Sequence, residues 1–150
     1  MKAKIPPPLW LLVFGAVMWF VAKSAYGYPI DIPYALVIAL PIGVLGALCS
    51  VAGIREFGRV STTVNPLKPE EASTLVTTGV YQVTRNPMYV GLFLILTGWA
   101  VWLSGLGNLP LLIVFLLVMT EMQIKPEEKA LQTLFGQEYE EYRQRVRRWI

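Results

Sequence analysis

The sequence predicts an all-α integral membrane protein of one domain, with about four transmembrane helices and a C-terminal cytoplasmic or interfacial helix. Hydrophobic residues make up 55% of the chain, and the mean hydropathy is +0.51. Charged residues make up 15%, compared with about 25% in soluble domains. The apolar residues fall into four blocks separated by polar segments, and almost all basic residues lie on one side of the resulting arrangement.

The four apolar blocks are the predicted spans, at about residues 8–23, 32–54, 88–103 and 109–123. A helix needs roughly 20 apolar residues to cross a bilayer. The third and fourth blocks are short, and the segment 104–108 between them permits only a tight antiparallel hairpin. The first block resembles a signal peptide, but no clear small-residue cleavage site follows it and further spans come after it.

The second span carries small residues at four-residue steps. Gly43 and Ala47 form one pair, and Gly46 and Ser50 form another. A face of small side chains allows another helix to approach closely, and both a dimer and the internal bundle are open as its partner. Pro41 in the same span predicts a kink.

The basic residues predict the orientation of the chain. Twelve of the thirteen Lys and Arg residues lie near the termini, in the loop 55–87 or in the tail 124–150, and only Lys23 lies on the other side. The positive-inside rule therefore places both termini and these two segments in the cytoplasm. The net charge of +3 indicates a membrane surface rather than nucleic acid as the partner.

Two residue types limit the chemistry that the chain can perform. There is no histidine, which removes the commonest general base and the commonest metal ligand, and we predict no metal site. The single cysteine, Cys49, lies in an apolar block and is interpreted as a small buried hydrophobe. Chemistry must then depend on Glu, Arg, Tyr, Asn and backbone groups.

The segment 85–91, Arg-Asn-Pro-Met-Tyr-Val-Gly, predicts the start of the third span. Asn86 suits the N-cap and Pro87 the first helical position. The free N–H groups and the positive dipole end of a helix start attract anions, and Arg85 adds a positive charge. The alternative is a well-made helix start whose Arg85 contacts lipid phosphate, and the residues alone leave the two open.

The tail contains an apolar stripe at three- and four-residue steps, which predicts a surface helix. Its members are Leu131, Leu134, Phe135, Tyr139, Tyr142, Val146 and Trp149. Gly136 is expected to break this helix in two. The simplest interpretation is an interfacial helix that lies on the membrane.

Glu127 and Glu128 follow directly after the fourth span. Carboxylates at a membrane boundary are costly unless they are solvated or paired, and as a pair they can bind hydroxyl or ammonium groups; one of them can instead cap the helix start. Because the hairpin returns the chain to the same membrane face, we expect residues 86–89 to lie close to both carboxylates. This is the predicted functional site.

Several segments, taken in order, resemble the isoprenylcysteine carboxyl methyltransferase family, within the wider set of membrane-embedded methyltransferases that includes phospholipid methyltransferases. They are Leu-Val-Thr-Thr-Gly-Val-Tyr (75–81), Arg-Asn-Pro-Met-Tyr-Val-Gly (85–91), Glu127-Glu128, and Leu-Phe-Gly-Gln-Glu-Tyr-Glu-Glu-Tyr (134–142) with Arg145-Val146. The resemblance covers about half of the chain.

The resemblance implies a site for S-adenosylmethionine (SAM) at the cytoplasmic end of the hairpin. Arg85 and Glu128 are the candidate catalytic residues, and Gln123 is the candidate substrate contact. The tail would form a lid in which Tyr139 and Tyr142 pack against the cofactor. The implied cofactor contacts are Ser73, Thr74, Leu75, Val76, Tyr81, Asn86, Pro87, Met88, Tyr89 and Glu127.

The chain departs from the family pattern at two positions. Asn86 stands where the family usually has His, and an Asn still hydrogen-bonds, so we expect cofactor binding to survive. Gln123 stands where the family usually has an Arg implicated in holding the substrate carboxylate. A neutral amide cannot form the charge-assisted fork that Arg offers, which argues against a prenylcysteine carboxylate unless Lys125 or Arg85 substitutes.

The expected reaction is methyl transfer from SAM to a lipophilic acceptor, an isoprenylcysteine-like carboxylate or a lipid, that enters from the bilayer. A carboxylate acceptor needs no general base, whereas an amine needs one, and Glu128 or a Tyr is then the candidate. Two alternatives stay open. They are a non-catalytic membrane protein that retains the fold, and a nicotinamide-dependent reductase relative, which the short chain disfavours. The sequence leaves the oligomeric state open.

Overall fold

The computed structural model describes residues 5–59 and 73–150, and these ranges contain helices and turns without a β-strand. The helices are α1 (Pro7–Lys23), α2 (Ala35–Arg59), α3 (Pro87–Leu103), α4 (Leu109–Met119) and α5 (Lys125–Arg145). A π-helical segment, Thr120–Ile124, joins α4 to α5, and 3-10 turns lie at Gly79–Gln82 and Leu106–Asn108. The predicted all-α class is confirmed for the described ranges.

The helix boundaries differ from the predicted spans mainly in α2. This helix begins at Ala35 and continues to Arg59, whereas the span was placed at 32–54, so the first part of the predicted loop 55–87 is helical. The helix extends because Glu56 is buried and Phe57 packs against the chain that returns after residue 73. Residues 60–72 of the predicted loop lie outside the described ranges.

The small-residue face of α2 packs against α3 in antiparallel fashion. A Cβ atom on Gly46 would lie 2.6 Å from the carbonyl oxygen of Gly91, and one on Gly98 would lie 2.7 Å from that of Ala39. The two backbones approach this closely because neither helix has a side chain at the crossing points. The predicted close approach is confirmed for Gly46 and Ser50, whose partner is the internal bundle. A Cβ atom on Gly43 would meet no atom within 4 Å, and Ala47 is exposed.

The predicted hairpin of α3 and α4 is also present, and α1 packs against both arms. The rings of Phe14 and Phe115 meet edge to face at 5.2 Å, and the indole N–H of Trp99 donates to the carbonyl of Gly15 at 3.0 Å. Ser104 ends α3 in the left-handed conformation, with φ 50°. The hairpin therefore brings the start of α3 and the end of α4 to the same end of the bundle.

The apolar surface of the bundle supports a membrane protein. By length and composition, α2 and the continuous helix Leu106–Arg145 can cross a membrane, while Pro7–Lys23 and Pro87–Leu103 are shorter apolar helices. Large apolar side chains of α2 are exposed along its outer face, among them Leu36, Val37 and Leu40. A contiguous apolar surface of this kind is rare on soluble monomers.

The second half of the tail helix packs its apolar stripe against the rest of the chain, whereas Leu134 in the first half is 44% exposed. Gly136 has φ 50° and ψ −116° and breaks α5, as predicted. Beyond the break, Tyr139 and Tyr142 are buried against Leu75 and Val76. The predicted apolar face of this helix was expected to lie on the membrane. Around Tyr139 and Tyr142 it is instead covered by the loop before α3.

Candidate active site

The start of α3 has the backbone that was predicted, but its Asn side chain does something else. Pro87 occupies the first turn and Asn86 the N-cap position, yet the Asn86 side chain makes no capping hydrogen bond. Its Nδ2 donates instead to the carbonyl of Arg148 at 2.9 Å. The prediction of a side-chain cap is wrong, because the end of the chain passes over this helix start and accepts the donor.

This C-terminal strap, residues 146–150, is held by several contacts near the helix start. The backbone N–H of Arg85 donates to the carbonyl of Arg147 at 3.0 Å, and the Thr84 hydroxyl donates to that of Arg148 at 3.2 Å. The indole N–H of Trp149 contacts the Thr120 hydroxyl at 3.3 Å. Some hydrogen-bond donors near the predicted anion site, the Arg85 N–H and the Asn86 amide, are thus already paired with carbonyl groups of the strap.

Tyr89 and Glu127 form the centre of the candidate site. Tyr89 is 2% exposed, and its hydroxyl donates to the Glu127 carboxylate. Glu127 keeps some exposed surface as a residue, but its carboxyl group is enclosed by protein. Burial raises the pKa of this carboxyl to about 8, the Tyr89 hydrogen bond opposes the rise, and the charge of Glu128 adds to it. The hairpin places the two side chains together, as predicted.

Glu128, the next residue, is ion-paired on both oxygens. Arg148 forms a two-bond fork with it, at 2.9 Å from Nε and 2.7 Å from Nη2, and Arg85 Nη1 lies 3.1 Å from Oε1. The Arg85 side chain is 9% exposed, and its Nε is buried without a hydrogen-bond partner in the described structure. The same guanidinium donates to the Tyr139 hydroxyl at 3.1 Å.

The loop before α3 supplies the other side of the site. Leu75, Val76 and Tyr81 are buried in one cluster with Tyr139 and Tyr142. The hydroxyl of Tyr142 donates to the carbonyl of Tyr81 at 2.7 Å. Burial is the main cause that raises the pKa of all three tyrosines, to about 12 for Tyr139. These phenols are therefore neutral at physiological pH, and they are poor candidates for a general base.

The remaining predicted residues lie at different distances from this centre. Ser73 and Thr74 are exposed at the beginning of the second described range, and Met88 is half-buried in the first turn of α3. Gln123 is 1% exposed, its Nε2 donates to the carbonyl of Ile5, and its Oε1 is buried without a partner in the described structure. No atom of this side chain is open to a ligand in this conformation, so its substrate contact stays a prediction.

Arg148, Thr84 and Glu56 contribute to the site or its surroundings but were not predicted from the sequence. Arg148 is one of several bases in the tail, and nothing in its spacing distinguishes it from Arg147. Glu56 had a visible signal, since it is the first acidic residue after a long apolar block. Its burial at 7% exposure depends on a loop that is distant in the sequence.

The class of protein follows from comparison with known families. A sequence model of the phospholipid methyltransferase family matches residues 34–138, which is more than half of the chain. The chain therefore belongs to the phospholipid methyltransferase family, and the matched range contains α2, the whole hairpin and Glu127. The family is a methyltransferase family, so the enzyme class that the motifs implied is confirmed.

Individual relatives support the narrower resemblance. Protein-S-isoprenylcysteine O-methyltransferase B of Arabidopsis thaliana is 35% identical over 104 residues, 69% of this chain and 52% of that protein. Protein-S-isoprenylcysteine O-methyltransferase of Saccharomyces cerevisiae is 30% identical over 125 residues, 81% of this chain and 51% of that protein. The chain thus spans about half the length of these two methyltransferases.

A shorter relative matches over its full length. An uncharacterized protein of Haemophilus influenzae is 44% identical over 63 residues, which are 42% of this chain and 100% of that protein. The resemblance to the isoprenylcysteine methyltransferases that the sequence motifs indicated is confirmed by the longer matches.

Proposed function

We propose that this chain is a membrane-embedded, SAM-dependent methyltransferase that acts on a lipophilic acceptor. The observation that carries the proposal is the Tyr89–Glu127 pair, enclosed where the two arms of the hairpin meet in a chain of a methyltransferase family. The names of its relatives give an isoprenylcysteine as the acceptor class, and the family name gives a phospholipid. Both are lipophilic.

The residues of the site fit the charges of SAM. The described hydrogen bond of the Glu127 carboxyl comes from a neutral phenol, and a buried carboxylate is stabilised by a cationic partner. The amino and sulfonium groups of SAM are cations of this kind. The unpartnered Nε of Arg85 is a suitable donor for a carboxylate. SAM supplies an activated methyl group when it is bound, and the chain's residues bind it and orient the acceptor.

Positioning and exclusion of water are the main contributions expected of the chain. A carboxylate acceptor needs no base. Glu128 is a poor base because both its oxygens accept from guanidinium groups, so we assign it to holding Arg85 and the C-terminal strap. An amine acceptor would require Glu127, whose carboxyl has a pKa of about 8, as the proton acceptor.

We further propose that all four apolar helices cross the membrane with the site at the cytoplasmic end. Twelve of the thirteen basic residues then face the cytoplasm, which satisfies the positive-inside rule. The shorter helices α1 and α3 each have 17 residues, which is at the lower limit for a span. The acceptor enters from the bilayer and SAM from the cytoplasm.

Calorimetry on detergent-purified protein tests the cofactor. Binding of SAM and of its demethylated product, without binding of NADPH, is the expected result. NADPH binding would support a reductase, and binding of neither would leave a non-catalytic membrane protein. Labelled SAM incubated with a membrane lipid extract, and separately with a prenylated cysteine analogue, then identifies the acceptor class by the product that becomes labelled.

A further inference from the structure

Glu56 is a buried carboxylate that lies outside the site described above. It occupies the last turns of α2 and is 7% exposed. Arg59 contacts its Oε1 at 2.8 Å, but the Arg59 side chain is 74% exposed, and exposed ion pairs stabilise little. The Thr78 hydroxyl donates to its Oε2 at 2.9 Å. The carboxylate therefore joins α2 to the loop that carries Leu75, Val76 and Tyr81.

The backbone of this loop is fitted to the carboxylate. Gly79 has a φ of 58°, which lies in the left-handed region that favours glycine. A Cβ atom on Gly79 would lie 2.6 Å from Cδ and 2.7 Å from Oε1 of Glu56. The loop can approach Glu56 this closely only because residue 79 has no side chain. The left-handed backbone and the close contact with Glu56 therefore both require glycine at position 79.

The anchored segment leads directly to Tyr81. Phe57, which follows Glu56 on α2, meets the Tyr81 ring edge to face at 5.6 Å. The backbone N–H of Tyr81 donates to the carbonyl of Thr78 at 3.1 Å. A displacement of Thr78 from Glu56 therefore changes the position of Tyr81 as well.

The same helix also fixes the start of α3. The Ser50 hydroxyl donates to the carbonyl of Met88 at 3.2 Å, and the Cys49 thiol contacts that of Pro87 at 3.3 Å. Gly53 lies against Met88, where a Cβ atom would be 2.8 Å from its Cγ. The helix α2 thus holds two separate segments of the candidate site in one frame, with Glu56 at one contact and Ser50 at the other.

We propose that Glu56 is a positioning residue, whose carboxylate holds Thr78 and Gly79 against α2 and so sets the shape of the cofactor-binding loop. The proposal rests on the proposed function, because that function assigns SAM to this loop. Glu56 itself touches neither SAM nor the acceptor. Loss of the anchor weakens SAM binding because the loop must be ordered when the ligand binds, while the methyl-transfer step of bound enzyme changes little.

Substitution of Thr78 provides the main test. Thr78→Val is nearly isosteric but removes the donor, and we expect the KM for SAM to rise about tenfold, with kcat within about threefold of the native value. Thr78→Ser keeps the hydroxyl and is expected to restore the KM. The matched control is Glu121→Gln, which removes an exposed carboxylate paired with Lys125. A Thr78→Val enzyme with native KM, or one that loses kcat and not KM, would overturn the proposal.

Hydrogen exchange separates this proposal from the proposed function. Glu56→Gln and Thr78→Val are expected to speed exchange at the amides of Tyr81, Val83 and Thr84, which are bonded within this turn, and to leave the amides of α3 unchanged. Unchanged exchange at these three positions would contradict the anchoring. The two variants could show this faster exchange while the native protein does not bind SAM. In that case the anchoring role of Glu56 stands and the proposed function fails.

Discussion

Glu127 and Glu128 are neighbours in the chain, yet they lie in two regions with opposite electrostatics. Glu127 faces the hairpin, where its described donor is the neutral Tyr89 and burial raises its pKa to about 8. Glu128 faces the C-terminal strap, where two guanidinium groups occupy its oxygens. In the first region the described partner of the carboxyl is a neutral phenol, which suits the cationic ligand proposed above. The other already contains its cations and has a structural role.

This difference shows that a pair of adjacent acids need not act as a pair. On a helix, successive side chains diverge by about 100°, so neighbours face different partners. From the sequence, both carboxylates were expected in one site, Glu127 as a cofactor contact and Glu128 as a catalytic residue, and the structure gives them different partners. Five experiments test the contrast between the two regions, in order of decreasing expected effect.

The largest effect is expected for Glu127→Ala. Removing the carboxylate should lower SAM affinity on the order of a hundredfold, because a desolvated charge partner is lost. The ligand-free protein should keep its helical circular dichroism, since the group is largely protonated there at pH 7. Calorimetry provides the affinity, and Tyr89→Ala is expected to weaken binding in the same direction. Unchanged affinity in both variants would remove this pair from the site.

The pH dependence of SAM binding should report the raised pKa of Glu127. Below pH 8 the ligand-free protein holds a proton that a cationic ligand must displace, so affinity falls by up to about tenfold per pH unit as the pH decreases. Calorimetry in buffers of different ionisation enthalpy should show release of about one proton. Glu127→Gln should abolish both effects, and a flat profile for the native protein would contradict the assignment.

The same group contributes to stability with the opposite sign of pH dependence. Its pKa in the folded protein lies above the ordinary value of 4.5, so its contribution is fully present at low pH and is lost as the pH rises through about 8. The melting temperature of the ligand-free protein in detergent should therefore fall between pH 6 and pH 9 more than that of Glu127→Gln. Parallel curves for both proteins would show that another group is responsible.

Glu128→Ala should act on stability more than on affinity. It leaves Arg85 and Arg148 without their shared anion, at a cost on the order of 2 kcal/mol, which corresponds to a melting temperature lower by roughly 5 °C. Proteolysis should then remove the strap more readily. A variant with native stability and a hundredfold loss of SAM affinity would make Glu128 equivalent to Glu127 and would eliminate the contrast.

The smallest effect is expected for Arg148→Lys. A lysine cannot form the two-bond fork with Glu128, and we expect a loss of about 1 kcal/mol. Arg147→Lys is the matched control, because the described contact of Arg147 uses its backbone carbonyl. Equal melting temperatures for the two variants would show that the fork stabilises nothing measurable.

Predictions about backbone conformation and helix packing were confirmed where they depended on residues within one helix. The position of Gly136 in the tail predicted a break, and a left-handed φ at that residue produces it. The small residues Gly46 and Ser50 predicted a close helix contact, which forms at Gly91, since only a narrow set of side chains permits one. Periodicity identified Tyr139 and Tyr142 as one face of α5 but did not identify what covers that face.

Predictions that named a side-chain partner succeeded less often. Asn86 is a good N-cap by type, but its amide bonds to Arg148, which is 62 residues away in the chain. Gln123 donates to the carbonyl of Ile5, 118 residues away in the chain, a contact that the sequence did not indicate, and its predicted substrate contact stays a prediction. Such partners are set by the path of distant segments, and no spacing rule within one element contains that information.

The sequence by itself determined the helices, the hairpin and the end of the bundle at which the polar residues gather. These depend on apolar periodicity and on the length of the 104–108 turn, which are local properties. Only the tertiary structure decided which partner each charge has: Tyr89 for Glu127, two arginines for Glu128, and Thr78 for Glu56. The physical reason is that burial and pairing of a charge depend on everything packed around it, and most of those neighbours are distant in the chain.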